Sequence, residues 1–316
     1  MLLTSEASAD QIHRATKDLA FTESLGFRFV QPGETIGFLS RLNLRPNQET
    51  MDVGVDIFLG DGGLLAARHV GRLGAGKTEL EVEGVSFTQE GASWHVVYDG
   101  GAHALASCRD AGNHEFWHNS RLERLIVDLE FEAENNAVTT DSRSDSFAQT
   151  VRVRGEIWVS GDQYEIDVDG LRDRSWGAQD FWIPKARRRI EARFEGGGAL
   201  SLERHWAEDG PHLTGWVKVG EEFREIVSGR IETEPEADFP YPKALALSLV
   251  DSSRERYRIE AEMLHTAPLA GSANQVKYLS CQSLSVFDWG GVRGHGIVEY
   301  LHRLDGNGDP IIPTDV

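Results

Sequence analysis

Between Glu156 and Trp182 the chain packs carboxylates, guanidinium groups and indoles more densely than anywhere else. Glu156-Ile157-Trp158-Val159 leads through Ser160-Gly161-Asp162 to a second alternating run from Tyr164 to Gly170. Then follow Leu171-Arg172-Asp173-Arg174-Ser175-Trp176-Gly177-Ala178-Gln179-Asp180-Phe181-Trp182. These residue types suit acid–base chemistry on an apolar molecule. A carboxylic acid buried in a dry pocket keeps its proton at neutral pH and can deliver it to an alkene. Aromatic faces beside it stabilise the cation that forms. Asp173 and Asp180 are the candidate acids, with Arg174 beside them, and Trp176, Phe181 and Trp182 are candidate lining residues. A regular strand would put the two Asp on opposite faces. A bend or bulge, which Gly177 permits, would bring both to one cavity. The alternative is structural: Arg172, Asp173, Arg174 and Asp180 form a buried ion-pair network and Trp176 plugs a core. Adjacent arginines lower a carboxyl pKa, which disfavours an acid role.

Two further motifs match familiar patterns. Gly71-Arg72-Leu73-Gly74-Ala75-Gly76-Lys77-Thr78 fits the phosphate-loop spacing, which works by aiming backbone N–H groups at phosphates from the start of a helix. The residues that follow, Glu79-Leu80-Glu81-Val82-Glu83, alternate like an acidic strand, so a Gly-rich loop between strands is the expectation. His114-Glu115-Phe116-Trp117-His118 fits the zinc-hydrolase pattern, which needs a helix to aim both imidazoles at one metal. Strand-like residues from Leu122 leave room for one turn only. We expect a polar loop with Trp117 on the rim of a barrel, no metal and no cofactor.

Other candidates stand singly. His69 ends a strand-like run and could relay a proton, or be an ordinary satisfied histidine. Glu299, beside Tyr300 and near His295 on the last predicted strand, could face a pocket, with Tyr300 in the core. Arg45 and Asn47 shape a turn around Pro46. Lys185-Ala186-Arg187-Arg188-Arg189 reads as the solvated start of a strand, with an anion or acidic-ligand site as the alternative. No Ser/His/Asp set stands out as nucleophilic.

The elements that must position these residues are strands. Runs at 25–30, 34–44, 52–59, 64–70, 80–87, 93–98, 122–132, 150–159 and 164–168 alternate with period 2 between Gly-, Pro- and Asn-rich turns. The same style continues at 189–194, 199–206, 213–219, 222–231, 244–249, 256–263 and 296–303. Such spacing indicates antiparallel sandwiches or barrels. Helical periodicity occurs only at Asp10–Leu19. With 316 residues the chain can hold two domains, and the expected division is an N-terminal helix or arm (1–20), then domains at 21–182 and 183–316. A net charge of −19 repels a phosphate backbone and argues against nucleic acid. No segment has the length of a membrane-spanning apolar helix, and the N-terminus lacks the apolar run of a secretory signal. Two cysteines make no disulfide framework, and a cytoplasmic location is expected.

The segment Gly170 to Trp182 resembles the hallmark of the lipocalin-like superfamily that includes carotenoid 1,2-hydratase, in particular a bacterial branch carrying a Gly-x-Arg-Asp-x-Ser-Trp-Gly motif. Arg45-Pro46-Asn47, Trp94 to Gly100, Arg152-Val153-Arg154-Gly155 and Gly294 to Tyr300 are similar to the same branch. Gln179 departs from the Arg that is commoner there, and Phe181-Trp182 stand where one Trp is usual. The resemblance implies two lipocalin-like β domains, a ligand cavity near their junction and action on apolar polyenes, isoprenoids or polyketides without a redox cofactor. The leading expectation is therefore a cofactor-independent hydratase, isomerase or cyclase acting on an isoprenoid-like molecule. Its counterpart is a non-catalytic carrier of a hydrophobic ligand; a scaffold without ligand and a nucleotide hydrolase stand behind both. The oligomeric state is open.

Overall fold

Period-2 alternation of buried and exposed side chains produces strands almost throughout the computed structural model. It describes residues 3–4, 12–33, 36–73, 80–139, 145–178, 184–207, 210–236, 239–273 and 276–312. The chain divides into two units, the first made of Leu3–Ser107 with Glu115–Asp180, the second of Phe181–Val316 with Met1–Leu2 and Cys108–His114. Among the described residues no helix is long and apolar enough to cross a membrane.

The first unit carries β1 (Leu3–Thr4), β2 (Phe21–Val30), β3 (Ile36–Arg45), β4 (Thr50–Leu59), β5 (Leu64–Arg72), β6 (Leu80–Val82), β7 (Val85–Glu90) and β8 (Ser93–Leu105). A short helix α1 (His114–Asn119) precedes β9 (Arg121–Ala133), β10 (Val138–Thr139), β11 (Ser146–Val159) and β12 (Asp162–Ala178). Antiparallel pairings run β2–β3–β4–β5–β8–β9–β11–β12 and return from β12 to β2, which closes a barrel. The β6–β7 hairpin extends β8, and β1–β10 extends β11. Its interior is filled by large rings: Phe27, Phe29, Phe38, Phe87, Trp94 and Phe131 are all buried in one cluster.

The second unit is a closed barrel of β13 (Ala186–Phe194), β14 (Ala199–Ala207), β15 (Gly210–Val219), β16 (Glu222–Glu236), β17 (Phe239–Asp251), β18 (Arg256–Ala273), β19 (Val276–Trp289) and β20 (Val292–Arg303). Each strand pairs with the next, and β20 closes on β13. Closure leaves the second barrel without sheet edges, while in the first unit β1 and β6 stay as short edge strands beside the closed ring. Several inward positions hold small side chains, among them Ala192, Ala261, Ser283 and Ser285.

Three local expectations are corrected. Residues 12–20, expected to be helical, are irregular. Asn47 donates to the carbonyls of Thr16 and Asp18, Gln48 donates to that of Leu19, and the His13 N–H goes to Glu23, so long-range side chains take the bonds a helix would use. The run 80–87 is two strands, broken at Glu83 and Gly84, whose φ angles of 45° and 82° make a tight hairpin. β19 stands where no strand was expected, because Ser283 and Ser285 face inward and interrupt the apolar alternation.

Candidate functional site

The motif-bearing residues 170–178 continue β12 as a regular strand between β11 and β2. Ile166 and Val168 belong to the barrel core, so period 2 aims Arg172, Arg174 and Trp176 inward and Leu171, Asp173 and Ser175 outward. Asp173 lies opposite Gly26 and is ion-paired with Arg28; the Arg41 guanidinium lies 3.7 Å away. Gly26 makes room for this pair, since a Cβ there would run into the Asp173 carboxylate. The carboxylate thus lies on the outer face of the sheet beside two guanidinium groups. Gly177, at φ 126°, takes a conformation that favours glycine. Asp180, Phe181 and Trp182 lie outside the described residues.

Inside the barrel, Arg174 is 1% exposed and its Nε donates to Glu23 Oε1 at 2.8 Å. Glu23 also accepts the His13 N–H at 3.1 Å, and His13 Nδ1 lies 2.9 Å from its other oxygen. The His13 ring stacks on Trp176 at 3.9 Å with an 8° interplanar angle. Arg172 Nε donates to Gln149 Oε1 at 2.6 Å, and its guanidinium sits over Phe147. The ion-pair network that the sequence offered as an alternative is thus divided between two faces of one strand.

The remaining candidates are dispersed. His69 bridges Glu83 (2.8 Å) and the Tyr98 hydroxyl (3.2 Å). Burial, then Asp99 and Glu83, push the Tyr98 phenol up. Trp117 sits on α1 with its ring near His103 and under Arg68. Arg68 pairs at 2.7 Å with Asp56, a carboxyl that sequence reasoning did not single out. Burial raises the Asp56 pKa and Arg68 only partly offsets it. His114 and His118 are exposed, and no group of three metal-ligating side chains occurs among the described residues. β6 stands where a phosphate loop needs a helix.

Glu299 faces outward on the second barrel and is ion-paired with Arg187. Nearby, burial works to raise the Glu203 carboxyl, but the His205 ring 3.6 Å away, Arg187 and Arg189 prevail and hold it at about 2. Arg189 pairs with Glu191 at 3.1 Å. The outward arginines of the Arg187-Arg188-Arg189 run are therefore matched by carboxylates.

Arg188 turns the other way. It precedes the core residues Ile190 and Ala192 at period 2, and β14 likewise carries Arg204 and Trp206 in step with core Leu200 and Leu202. Arg188 and Arg204 are direct cross-strand partners on this inward face, 4% and 9% exposed. The Trp206 ring lies 4.9 Å from the Arg188 guanidinium and 5.1 Å from that of Arg204. Arg188 also lies over Tyr300, whose hydroxyl is 2.7 Å from that of Thr233. Two residues along β20, His302 Nδ1 lies 3.2 Å from the Ile311 carbonyl; burial lowers its pKa, and Arg188 adds to the effect. The ring is thus neutral with Nδ1 donating, and its buried Nε2 is a bare acceptor. The basic run pointed to this site, but not to Arg204 or Trp206.

Two closed antiparallel barrels with inward aromatic and aliphatic faces define a lipocalin-like, all-β protein. Residues 6–304 match the family described as a domain of unknown function (DUF7064), and the chain belongs to that family. Among solved structures, a Nitrosomonas europaea protein described provisionally as AttH is similar at 13% identity with a TM-score of 0.65; the match covers 89% of this chain and 91% of that one. At this identity the likeness is one of fold. No curated protein matches the sequence.

Proposed function

We propose that this protein is a carrier of an apolar, isoprenoid-sized small molecule, bound within the second barrel. The observation that carries this reading is the placement of Asp173. The acid on which hydration or cyclisation would depend faces out of its barrel, paired with Arg28 and close to Arg41. The interior of the second barrel holds the small residues Ala192, Ala261, Ser283 and Ser285 among the rings of Phe194, Phe287 and Tyr300. Lipocalin-like barrels of this strand number have room for one small ligand.

A second reading keeps the acid–base enzyme and moves the acid to Asp56, which also lies outside the barrel core and pairs with an arginine, Arg68, but whose pKa burial raises. Native mass spectrometry after incubation with terpenoids, steroids and fatty acids separates the two. A ligand retained unchanged supports the carrier. A ligand gaining the mass of water, or rearranged at constant mass, overturns it, and loss of that turnover in Asp56→Asn would identify the acid.

A further inference from the structure

Beyond β20 the chain turns back over the second barrel. Asp305 builds the turn: its Oδ1 accepts the N–H groups of Asn307 and Asp309 at 2.8 and 2.9 Å, and its own N–H donates to the Asp309 carbonyl. Leu304 and Pro310 are bridged across it. The leading arm is fixed as a strand would be, with the Arg303 N–H on the Lys185 carbonyl and the Leu304 N–H on that of Lys277. The returning arm is held more lightly. Pro310 has no N–H to give, Ile312 is exposed, and Ile311 makes two hydrogen bonds. Its N–H donates to the Arg303 carbonyl at 2.8 Å, and its carbonyl accepts from His302 Nδ1 at 3.2 Å. His302 faces inward, in step with Val298 and Tyr300 of the core. The Ile311 carbonyl that it reaches therefore lies over the end of the barrel.

We infer that residues 304–312 form a strap across that end, latched at neutral pH by the bond from His302 to Ile311 and released when the ring takes up a proton. With the strap closed, His302 is 2% exposed and its Nε2 is buried without a hydrogen-bond partner. A proton added there makes a charged N–H with no acceptor in dry surroundings, which is costly. No neighbouring element offers a compensating charge. On β13, Ala186 lies opposite and the next inward residue is the cation Arg188. On β19, Leu279 lies opposite, and the next inward residue, Cys281, is kept a neutral thiol by burial, then Glu299. On β20 the near ring is the phenol of Tyr300. The carboxylates of the strap, Asp305 and Asp309, are exposed. Burial lowers the His302 pKa, the bond to Ile311 partly opposes it, and Arg188 adds to the lowering. Opening the strap brings Nε2 to water, where the cation is stable. The closed form is therefore fully favoured above the ordinary histidine pKa and loses its advantage as pH falls from there towards the depressed value. This device works on the barrel end whether or not a ligand is carried.

The test is hydrogen–deuterium exchange of the full chain at pH 7.5 and 5.5, corrected for intrinsic rates, with the Ile311 amide as reporter. With an open-state histidine pKa of about 6.5, opening at pH 5.5 can rise by up to about tenfold, and we expect at least threefold. In His302→Gln, whose amide donates without titrating, the ratio should fall to about one. A parent ratio below twofold overturns the latch, and so does a ratio kept in His302→Gln. Peptides covering 292–303 should stay protected at both pH values; loss of their protection at pH 5.5 assigns the change to the barrel and overturns the latch as well. Should His302→Gln fail to fold by circular dichroism, the titration of the His302 ring in the parent protein, followed by NMR, decides. A ring that takes up its proton as the strap opens supports the latch, and a strap that opens while the ring stays neutral overturns it.

Discussion

Replacing Arg174 by Met removes a guanidinium from the interior of the first barrel and leaves Glu23, also 1% exposed, without its cationic partner. Breaking a buried ion pair from one side costs about 3–5 kcal/mol, because the surviving charge stays out of water. Here His13 keeps its backbone and ring contacts on Glu23, so the lower end of that range, about 3 kcal/mol, is expected. Adding Glu23→Leu removes the stranded charge. The double variant should return to within about 1 kcal/mol of the parent, which makes the coupling between the two sites large and favourable. The two units can unfold separately, so the readout must belong to the first barrel. Hydrogen–deuterium exchange at rising urea, followed on peptides covering residues 21–30 and 162–178, provides that. A single-variant loss below about 1 kcal/mol would refute the reasoning, since it would mean that Glu23 reaches water or another cation once Arg174 is gone. A double variant worse than the sum of the two singles would refute it as well.

Three further outcomes are expected. Asp251 is fully buried and accepts from the Ser253 N–H and O–H, the Glu255 N–H and the Tyr257 hydroxyl at 2.6–2.9 Å. Burial raises its carboxyl, and these bonds outweigh burial and hold it below the usual range; Glu203 lies at about 2. Both folded-state values are depressed, so their stabilisation is complete above about pH 5 and is lost as pH falls through them. Acid titration of the second barrel should show that loss, and Asp251→Asn should flatten it. Gly177→Ala forces a side chain onto φ 126° with its Cβ 3.0 Å from Asp145 and should cost about 1–3 kcal/mol in urea unfolding. Cys108 and Cys281 are buried free thiols, and burial, then Glu299, push Cys281 up. Ellman's reagent should therefore label neither in the native protein and both after denaturation; rapid native labelling would contradict the packing.

Much of the architecture was legible because period 2 is a local property. β11, for example, begins at Ser146 where the alternation predicted Thr150, and both end at Val159. What escaped was set by partners distant in sequence. Nothing in Ile12 to Ala20 says that Asn47 and Gln48 will take its carbonyls. Nothing in Val276–Trp289 says that a strand will turn serines inward, with Ser283 bonded to Thr266 of the neighbouring strand at 2.8 Å. The central motif illustrates the same limit at a site. Its residue types were plain, but alternation alone does not say which parity faces the core, and that choice separates outward Asp173 from inward Arg174.

The same question of parity explains why two arginine-rich segments of one chain differ in how their charges are held. In β12 the inward Arg174 meets Glu23 and the outward Asp173 meets Arg28, so each charge is answered within the barrel that carries it. In β13 the outward Arg187 and Arg189 are answered by Glu299 and Glu191. The inward Arg188 donates to the Ile231 carbonyl and lies over Trp206 and Tyr300, and Arg204 opposite it shares the Trp206 ring. Cation–π contact stabilises a guanidinium by about 0.5–2 kcal/mol, whereas an uncompensated buried charge costs several. The aromatic face is the part of this environment that both guanidiniums share. Both segments match outward charges with opposite ones, while their inward faces differ, with Glu23 beside Arg174 in β12 and aromatic rings beside Arg188 and Arg204 in the second barrel.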